Sequence, residues 1–509
     1  MFSQARPSAM FRFVLPFLSL TVFGCVTAPP VQPLQLDVTL PTVWTASTTV
    51  AGEVSGDWWR SFGDPKLTEM VQTALQQNHD LLAAAARLEV AVAAGRIAGA
   101  PLQPTIDAGL ASSARRQNFI GFPIPGGEEA VLSSFSTTSG VSLNTVWEAD
   151  LWGRLRAGAR AALADVQRSA ADLRSARQSI AGQTVKAWFS VAEAQQQLGL
   201  ARRTVDSFNT SAAQVRGRFE QGLRPALDLR LALSSLASAE ANLAVRQQQV
   251  DTTIRQLEVL LGEYADKHTQ VAVSLPDAPE PVPAGLPSDL IGRRPDIVAA
   301  ERFLAADLER LKIARADLYP RLSLTASGGT STRGLTELLR GDFFVWSLLG
   351  NLTQPIFEGG RLRATVDQAT AQTDESLANY AGIALRAYAE VETALAAESL
   401  LEAQSRHLAS AAAQSIAAER LADGRYAAGL NDYITVLEAQ RQAFNTQSAL
   451  IGARRQRLDN RVDLHLALGG GFEDESTPFN ETGREPSPDS EITTTALVRA
   501  SVETKVSDR

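Results

Sequence analysis

The chain has 509 residues, 45% of them hydrophobic but only 6% aromatic, a balance that suits closely packed Ala-, Leu- and Val-rich helices around a large core. Its net charge of −8 argues against the basic face that nucleic-acid binding requires. The single cysteine, Cys25, excludes a disulfide framework and a thiolate metal site, and the four histidines (His79, His268, His407, His465) share no ligand spacing, so each reads as structural or solvated.

Residues 1–24 read as a signal peptide, with Arg6 and Arg12 ahead of an apolar run from Phe13 to Phe23. Gly24-Cys25 at its end resembles a bacterial lipobox, although Phe23 and Pro16 depart from that pattern. The expectation is that Cys25 is acylated and that residues 25–64 form a lipid-anchored segment. A plain signal peptide with an incidental cysteine is the alternative. Beyond Phe23 no run of about 18 apolar residues occurs, so any membrane span must be built from β-strands.

The rest of the chain is written twice. Gly153-Arg-Leu-Arg-Ala recurs at Gly360 (360 − 153 = 207), and the Gly222-Leu pair recurs at Gly429 and the Leu261-Gly262 pair at Leu468 with the same offset. Farther upstream the offset is larger: Pro104 pairs with Pro320 (320 − 104 = 216), which puts nine extra residues between Pro104 and Gly153 of the first copy. The first repeat spans 65–270 and the second 288–470. A Pro-rich linker (271–287) joins them, and residues 471–509, polar and acidic, read as a disordered tail.

Each repeat reads helix, two strands, helix, helix. The first helix covers Pro65–Ala98, and its counterpart covers Asp296–Leu318. Alternation in "TIDAGLASS", "TSGVSLNTVW", "RLSLTASGG" and "FVWSLLGNLTQ" predicts four strands of about ten residues, placed in β-hairpins near 104–147 and 321–356. Residues 115–134 and 332–342 read as loops. Heptad-like spacing of Val366, Ala369, Thr373, Leu377, Tyr380, Ala384, Ala387 and Val391 predicts a very long helix. The helical hairpins cover 153–262 and 361–468. Gly222 and Gly429 suit the left-handed position after a helix, Pro225 suits the first helical position, and Asn431 or Asp432 suits an N-cap.

Four membrane strands cannot close a barrel alone, and an open edge in lipid leaves backbone groups unpaired. The fold class expected is therefore mainly α with a membrane β-barrel shared between copies. A dimer gives a filled eight-stranded barrel, and a trimer gives twelve strands with room for a conduit.

Two long segments, "GLPSDLIGRRPDIVAAERFLAADLERLKIARADLYPRLSLTASGG" and "LTQPIFEGGRLRATVDQATAQTDESLANYAGIALRAYAEVETAL", resemble the outer-membrane efflux proteins of the TolC family, nearest its NodT/OprM-like lipoprotein branch. The resemblance runs from about Trp58 to Gly469. It implies a homotrimer with a twelve-stranded outer-membrane barrel above a periplasmic α-helical barrel. It also implies an exit duct of a tripartite pump, docked to a periplasmic adaptor protein and an inner-membrane transporter of the resistance-nodulation-division type. No enzyme activity and no cofactor are expected, and outer-membrane lipid is the surrounding partner.

By the same resemblance, Ile434 matches the aliphatic residue that closes the periplasmic aperture. Glu438 and Arg441 match the next constricting layer, Tyr426 matches the tip aromatic, and Asp228 is a weaker gate candidate. Ala427 stands where related chains carry a basic residue, which puts one salt bridge of the gate in doubt. The second hairpin, which holds Tyr426, Ile434, Glu438 and Arg441, is expected to move while the first frames it. Alternative readings are a non-conducting envelope scaffold, or the duct of a type I secretion or metal-efflux system.

Overall fold

The computed structural model describes residues 44–45, 56–119, 132–269, 274–282 and 290–470. The signal peptide, Cys25 and the C-terminal tail lie outside these residues. Two short helices, α1 (Pro65–Gln77) and α2 (His79–Gly99), lead into β1 (Thr105–Phe119) and β2 (Leu132–Ala149). Two long helices follow, α3 (Arg154–Glu220) and α4 (Ala226–Leu261). The second copy repeats this order with α5 (Leu290–Arg293), α6 (Pro295–Ala316), β3 (Arg321–Thr330), β4 (Phe344–Thr353), α7 (Arg361–Ala427) and α8 (Tyr433–Ala467).

The single helix expected over 65–98 is two helices. Asn78 breaks it: its side chain caps α2 by accepting from the Asp80 and Leu81 N–H groups, and its Nδ2 donates to Leu260 O at 2.9 Å. Arg294, the counterpart of Asn78 in the second repeat (294 − 78 = 216), makes no side-chain cap to α6 but makes the same reach to the returning helix, donating to Ala467 O at 3.1 Å. In each repeat, then, a returning helix ends against the start of a short one. This lets two half-length helices accompany each long helix. α3 and α7 are each 67 residues, about 100 Å of helix, and both start from a left-handed glycine, Gly153 and Gly360.

The strands form one antiparallel sheet in the order β1-β2-β3-β4. In the first repeat they are longer than expected, at 15 and 18 residues against 10 and 10. Residues 115–119 and 132–134, read as loop from their polarity, continue the β1–β2 ladder up to Phe119↔Leu132. A ladder satisfies the backbone whatever the side chains, so polar residues extend it freely once outside an apolar medium.

Register sorts the two faces of the sheet. Ile106, Thr145, Ala326 and Leu348 lie in one row, and Ala108, Leu143, Gly328 and Trp346 lie in the next. The opposite face carries Asp107, Asn144, Ser327 and Ser347. The apolar face is open: Ile106, Leu110, Trp346 and Leu348 are all more than 60% exposed. At the helical end of the sheet, Trp147 Nε1 donates to Leu102 O (3.2 Å), and Trp152 Nε1 donates to Pro320 O (2.8 Å) while its ring stacks on Tyr319.

The core sits at mid-height, around the helix junctions. Trp58, Trp59, Phe62, Trp188, Phe189 and Leu257 form one cluster, and Trp44, Ile297, Tyr380, Tyr388 and Val391 form another. Trp58 stacks on His465 at 5.0 Å. The described part of the 271–287 linker is not a free spacer: Leu275 and Ala278 pack on the first cluster, Val282 on the second, and Glu280 O accepts from Arg461. Among the described residues no helix is long and apolar enough to cross a membrane.

Candidate functional site: the paired helical tips

The far ends of the two helical hairpins lie side by side. Both turns close by the same chain chemistry. Leu223 N–H donates to Arg218 O and Gly222 N–H to Phe219 O; in the second hairpin Leu430 N–H donates to Arg425 O and Gly429 N–H to Tyr426 O. This pair of bonds is the Schellman motif, which needs a left-handed residue after the helix. Gly222 (φ 71°) and Gly429 (φ 75°) supply it. Pro225 stands one residue earlier in its helix than expected, as the N-cap of α4 rather than its first turn. Its fixed φ with an extended ψ serves that cap equally well.

Two arginines of the first tip tie it to the second. Arg218 donates through Nη1 to Tyr426 O and through Nη2 to Ala427 O, both at 2.8 Å. These carbonyls end α7, where the helix dipole is negative, so a guanidinium is favoured there. Arg224 donates through Nη1 to Asp432 Oδ1 (2.8 Å) and through Nη2 to Asn431 O (2.9 Å). The bond to Asp432 is the main reason the Arg224 guanidinium holds its proton above the usual range. Asp432 is the N-cap of α8, but its carboxylate makes no capping bond because it serves Arg224.

Between the arginines lies Tyr426. Its ring sits under Arg218 (4.4 Å) and Arg224 (5.3 Å) and packs edge-on against Tyr433 (5.9 Å). Both tyrosines are buried, in a small core with Phe208, Val215, Val436 and Leu437. Burial pushes the Tyr433 phenol up to about 12.

The sequence-predicted gate residues divide into two places. Ile434, Glu438 and Arg441 share one exposed face of α8, at spacings of four and three. Glu438 and Arg441 approach only to 4.0 Å. Tyr426 is on the inner side, away from that face. Asp228 lies in the first turn of α4, partly buried, without a hydrogen bond or ion pair among the described residues. The carbonyl of Ala427 is held by Arg218.

Sequence reasoning missed Arg218 and Arg224. Both sit in the repeated Gly-Arg-aromatic turn or beside it, but their partners lie about 208 residues away, and only the repeat offset hinted that the two tips are neighbours. It also missed a buried polar chain above the tips, in which Gln440 Nε2 donates to Ser207 Oγ (3.0 Å) and Ser211 Oγ (2.8 Å). That chain borders a cleft of about 400 Å³ lined by Arg203, Glu419, Arg420 and Asp423.

Comparison with known proteins agrees with this architecture. The outer membrane efflux protein family matches residues 70–263 and 286–470. The pyoverdine export outer membrane protein OpmQ of Pseudomonas putida is 31% identical over 465 residues, covering 90% of this chain and 97% of that protein. The outer membrane protein OprJ of Pseudomonas aeruginosa is 35% identical, with 82% of this chain and 86% of its own length covered. A crystal structure of a membrane protein from Pseudomonas aeruginosa superposes with a TM-score of 0.80 at 32% identity, over 88% of this chain and 98% of that one. On a fold of two matched repeats, one two-faced sheet and two long helical hairpins, the chain belongs to the outer membrane efflux protein family.

Proposed function

We propose that three copies of the chain close edge to edge, β4 of one against β1 of the next, into a twelve-stranded barrel that conducts small molecules out of the cell. The observation that carries this reading is the sheet: both outer edges are unpaired, and one face is apolar and open around Ile106, Leu110, Leu143, Trp346 and Leu348. In lipid each unpaired backbone group costs several kcal/mol, so the edges must meet partners. Eight strands would fill with side chains, whereas twelve leave a channel lined by the Asp107, Asn144, Ser327 and Ser347 face. Trp147, Trp152 and Tyr319 mark the membrane boundary nearest the helices, as aromatic girdles do.

Below the barrel the long hairpins continue as a helical cylinder into the periplasm, and the tips close its far end. Ile434, Glu438 and Arg441 from three copies form the constriction, and the Arg218 and Arg224 ties hold each second tip to its first. A periplasmic adaptor docks on the tips and opens them, and an inner-membrane transporter of the resistance-nodulation-division type supplies cargo to it. Cys25, once acylated, adds a lipid anchor to the barrel. The duct does no chemistry on its cargo. The name of the OpmQ relative, pyoverdine export, supports a small-molecule cargo.

The test is complementation. In a strain stripped of its own outer-membrane ducts, this chain expressed with its adaptor and transporter lowers accumulation of a fluorescent pump substrate. Expression without the adaptor leaves accumulation high. Equal accumulation with and without the chain, at normal outer-membrane levels, would leave the scaffold reading instead.

A further inference from the structure

Far from the tips, the C-terminal end of α4 carries a second group of reactive side chains. Glu258 is fully buried in the last turn of α4, yet among the described residues no lysine or arginine pairs with it. Among the described residues its two oxygens accept from the backbone N–H groups of Lys267 (3.0 Å) and Thr269 (3.1 Å). A buried carboxylate without a counter-charge is expensive. The ammonium of Lys267, whose N–H holds Glu258, turns away to Asp251.

What faces Glu258 is an imidazole. His268 Nδ1 lies 3.5 Å from Glu258 Oε1 and 2.5 Å from Asp266 Oδ1, and its Nε2 lies 3.3 Å from Glu263 Oε2. Three carboxylates thus converge on one ring, and even the doubly protonated imidazolium leaves two negative charges in excess. The Thr269 hydroxyl, on a residue 92% buried whose N–H holds Glu258, has no hydrogen-bond partner. Lys267, between Asp266 and His268, is the one non-glycine residue with positive φ (70°) among the described residues.

We propose that Glu258, Asp266 and His268 form a zinc site that pins the segment after α4 to the end of that helix. One oxygen of each carboxylate and His268 Nδ1 lie within 4.8 Å of one another. The 3.5 Å separation of Nδ1 from Glu258 is near the edge of a tetrahedron with ligands at about 2.0–2.2 Å; the 2.5 Å separation from Asp266 is a hydrogen bond, shorter than such an edge, and rotation of the exposed Asp266 and His268 side chains opens it as zinc replaces the shared proton. Water takes the fourth position. Once zinc displaces the proton that Nδ1 shares with Asp266, Glu263 Oε2, 3.3 Å from Nε2, is placed to hold the remaining ring proton. One imidazole with two carboxylates suits zinc better than magnesium or calcium, which prefer oxygen alone. The site would tie the connector between the repeats to the junction where Gly262 meets Gln77. This reading is independent of the duct.

The test uses the purified full chain in detergent, stripped of metal and titrated with zinc chloride in a calorimeter. The expected result is one zinc per protomer, undisturbed by excess magnesium. His268→Ala and Asp266→Asn should each weaken binding by roughly tenfold or more. Zinc-edge X-ray absorption should show one imidazole nitrogen among oxygens. If His268→Ala fails to fold, as judged by helical circular dichroism, the exposed Asp266→Asn variant carries the comparison. Absence of saturable zinc binding, or equal binding by the folded variants, overturns the proposal.

Discussion

Arg224 Nη1 lies 2.8 Å from Asp432 Oδ1, and this pair bridges the two helical tips of one chain. Arg224 is mostly covered, while Asp432 is 80% exposed, so solvent screens the pair. Such a pair contributes at most about 1 kcal/mol. Three copies acting together reach roughly 1–3 kcal/mol, which is a five- to 150-fold change in an equilibrium. Asp432→Asn should therefore raise the resting leak without unfolding the tip. Susceptibility to vancomycin, too large for ordinary porins, measures it. Unchanged susceptibility at normal protein levels would remove this tie from the gate.

The two hairpins should differ in mobility. Leu227 is the repeat counterpart of Ile434 (434 − 227 = 207), and both side chains are exposed. Cysteine at position 434, cross-linked between copies, should block efflux. The same cross-link at position 227 should leave most of it. Equal block by both would mean that the two hairpins open as one body.

Two glycines set the spacing of the central strands. A Cβ on Gly329 would stand 2.0 Å from Val141 O, and one on Gly140 would stand 2.3 Å from Thr330 O. The clash is with backbone, so nothing small can move aside. Gly329→Ala should abolish the heat-modifiable oligomer seen on semi-native gels. Gly328→Ala, with its nearest neighbour at 3.8 Å, should preserve it.

Stability at mid-height should depend on pH through two opposed groups. Burial raises the Asp459 carboxyl to about 6, so the folded chain holds its proton where the unfolded chain does not. That term favours the folded state more as pH falls from about 6 towards 4. Burial lowers the His465 imidazole to about 4, so the folded chain refuses a proton that the unfolded chain takes. That term weakens the fold as pH falls from about 6.5 to 4. Each is worth roughly 1–3 kcal/mol. Asp459→Asn should steepen acid unfolding and His465→Gln should flatten it, as followed by helical circular dichroism against denaturant at pH 4.5 and 7. Parallel slopes in both variants would refute the assignment.

Much of the architecture was legible because the chain repeats itself. The 207-residue offset paired Gly153 with Gly360 and Gly222 with Gly429, and those glycines adopt left-handed geometry in pairs. Alternation marked all four strands, and it is the register that puts Ile106 and Leu143 on one face and Asn144 on the other. The break at Asn78 was hidden because its cause is tertiary: its amide reaches Leu260, 182 residues on. The β1–β2 extension was hidden because Ser, Thr and Arg pattern like loop when both faces of a hairpin meet water. The grouping of Glu258 with His268 was missed because a helix end and a left-handed Lys267 fold ten residues back on themselves.

The central claim is that three of these chains form one conduit, shut at the helical tips. Single-channel conductance in planar bilayers tests it most directly. The account predicts a trimer with small, flickering conductance, and a several-fold larger, steady conductance when Ile434→Ala and Arg441→Ser are combined. A folded trimer that passes no current in either form would contradict it.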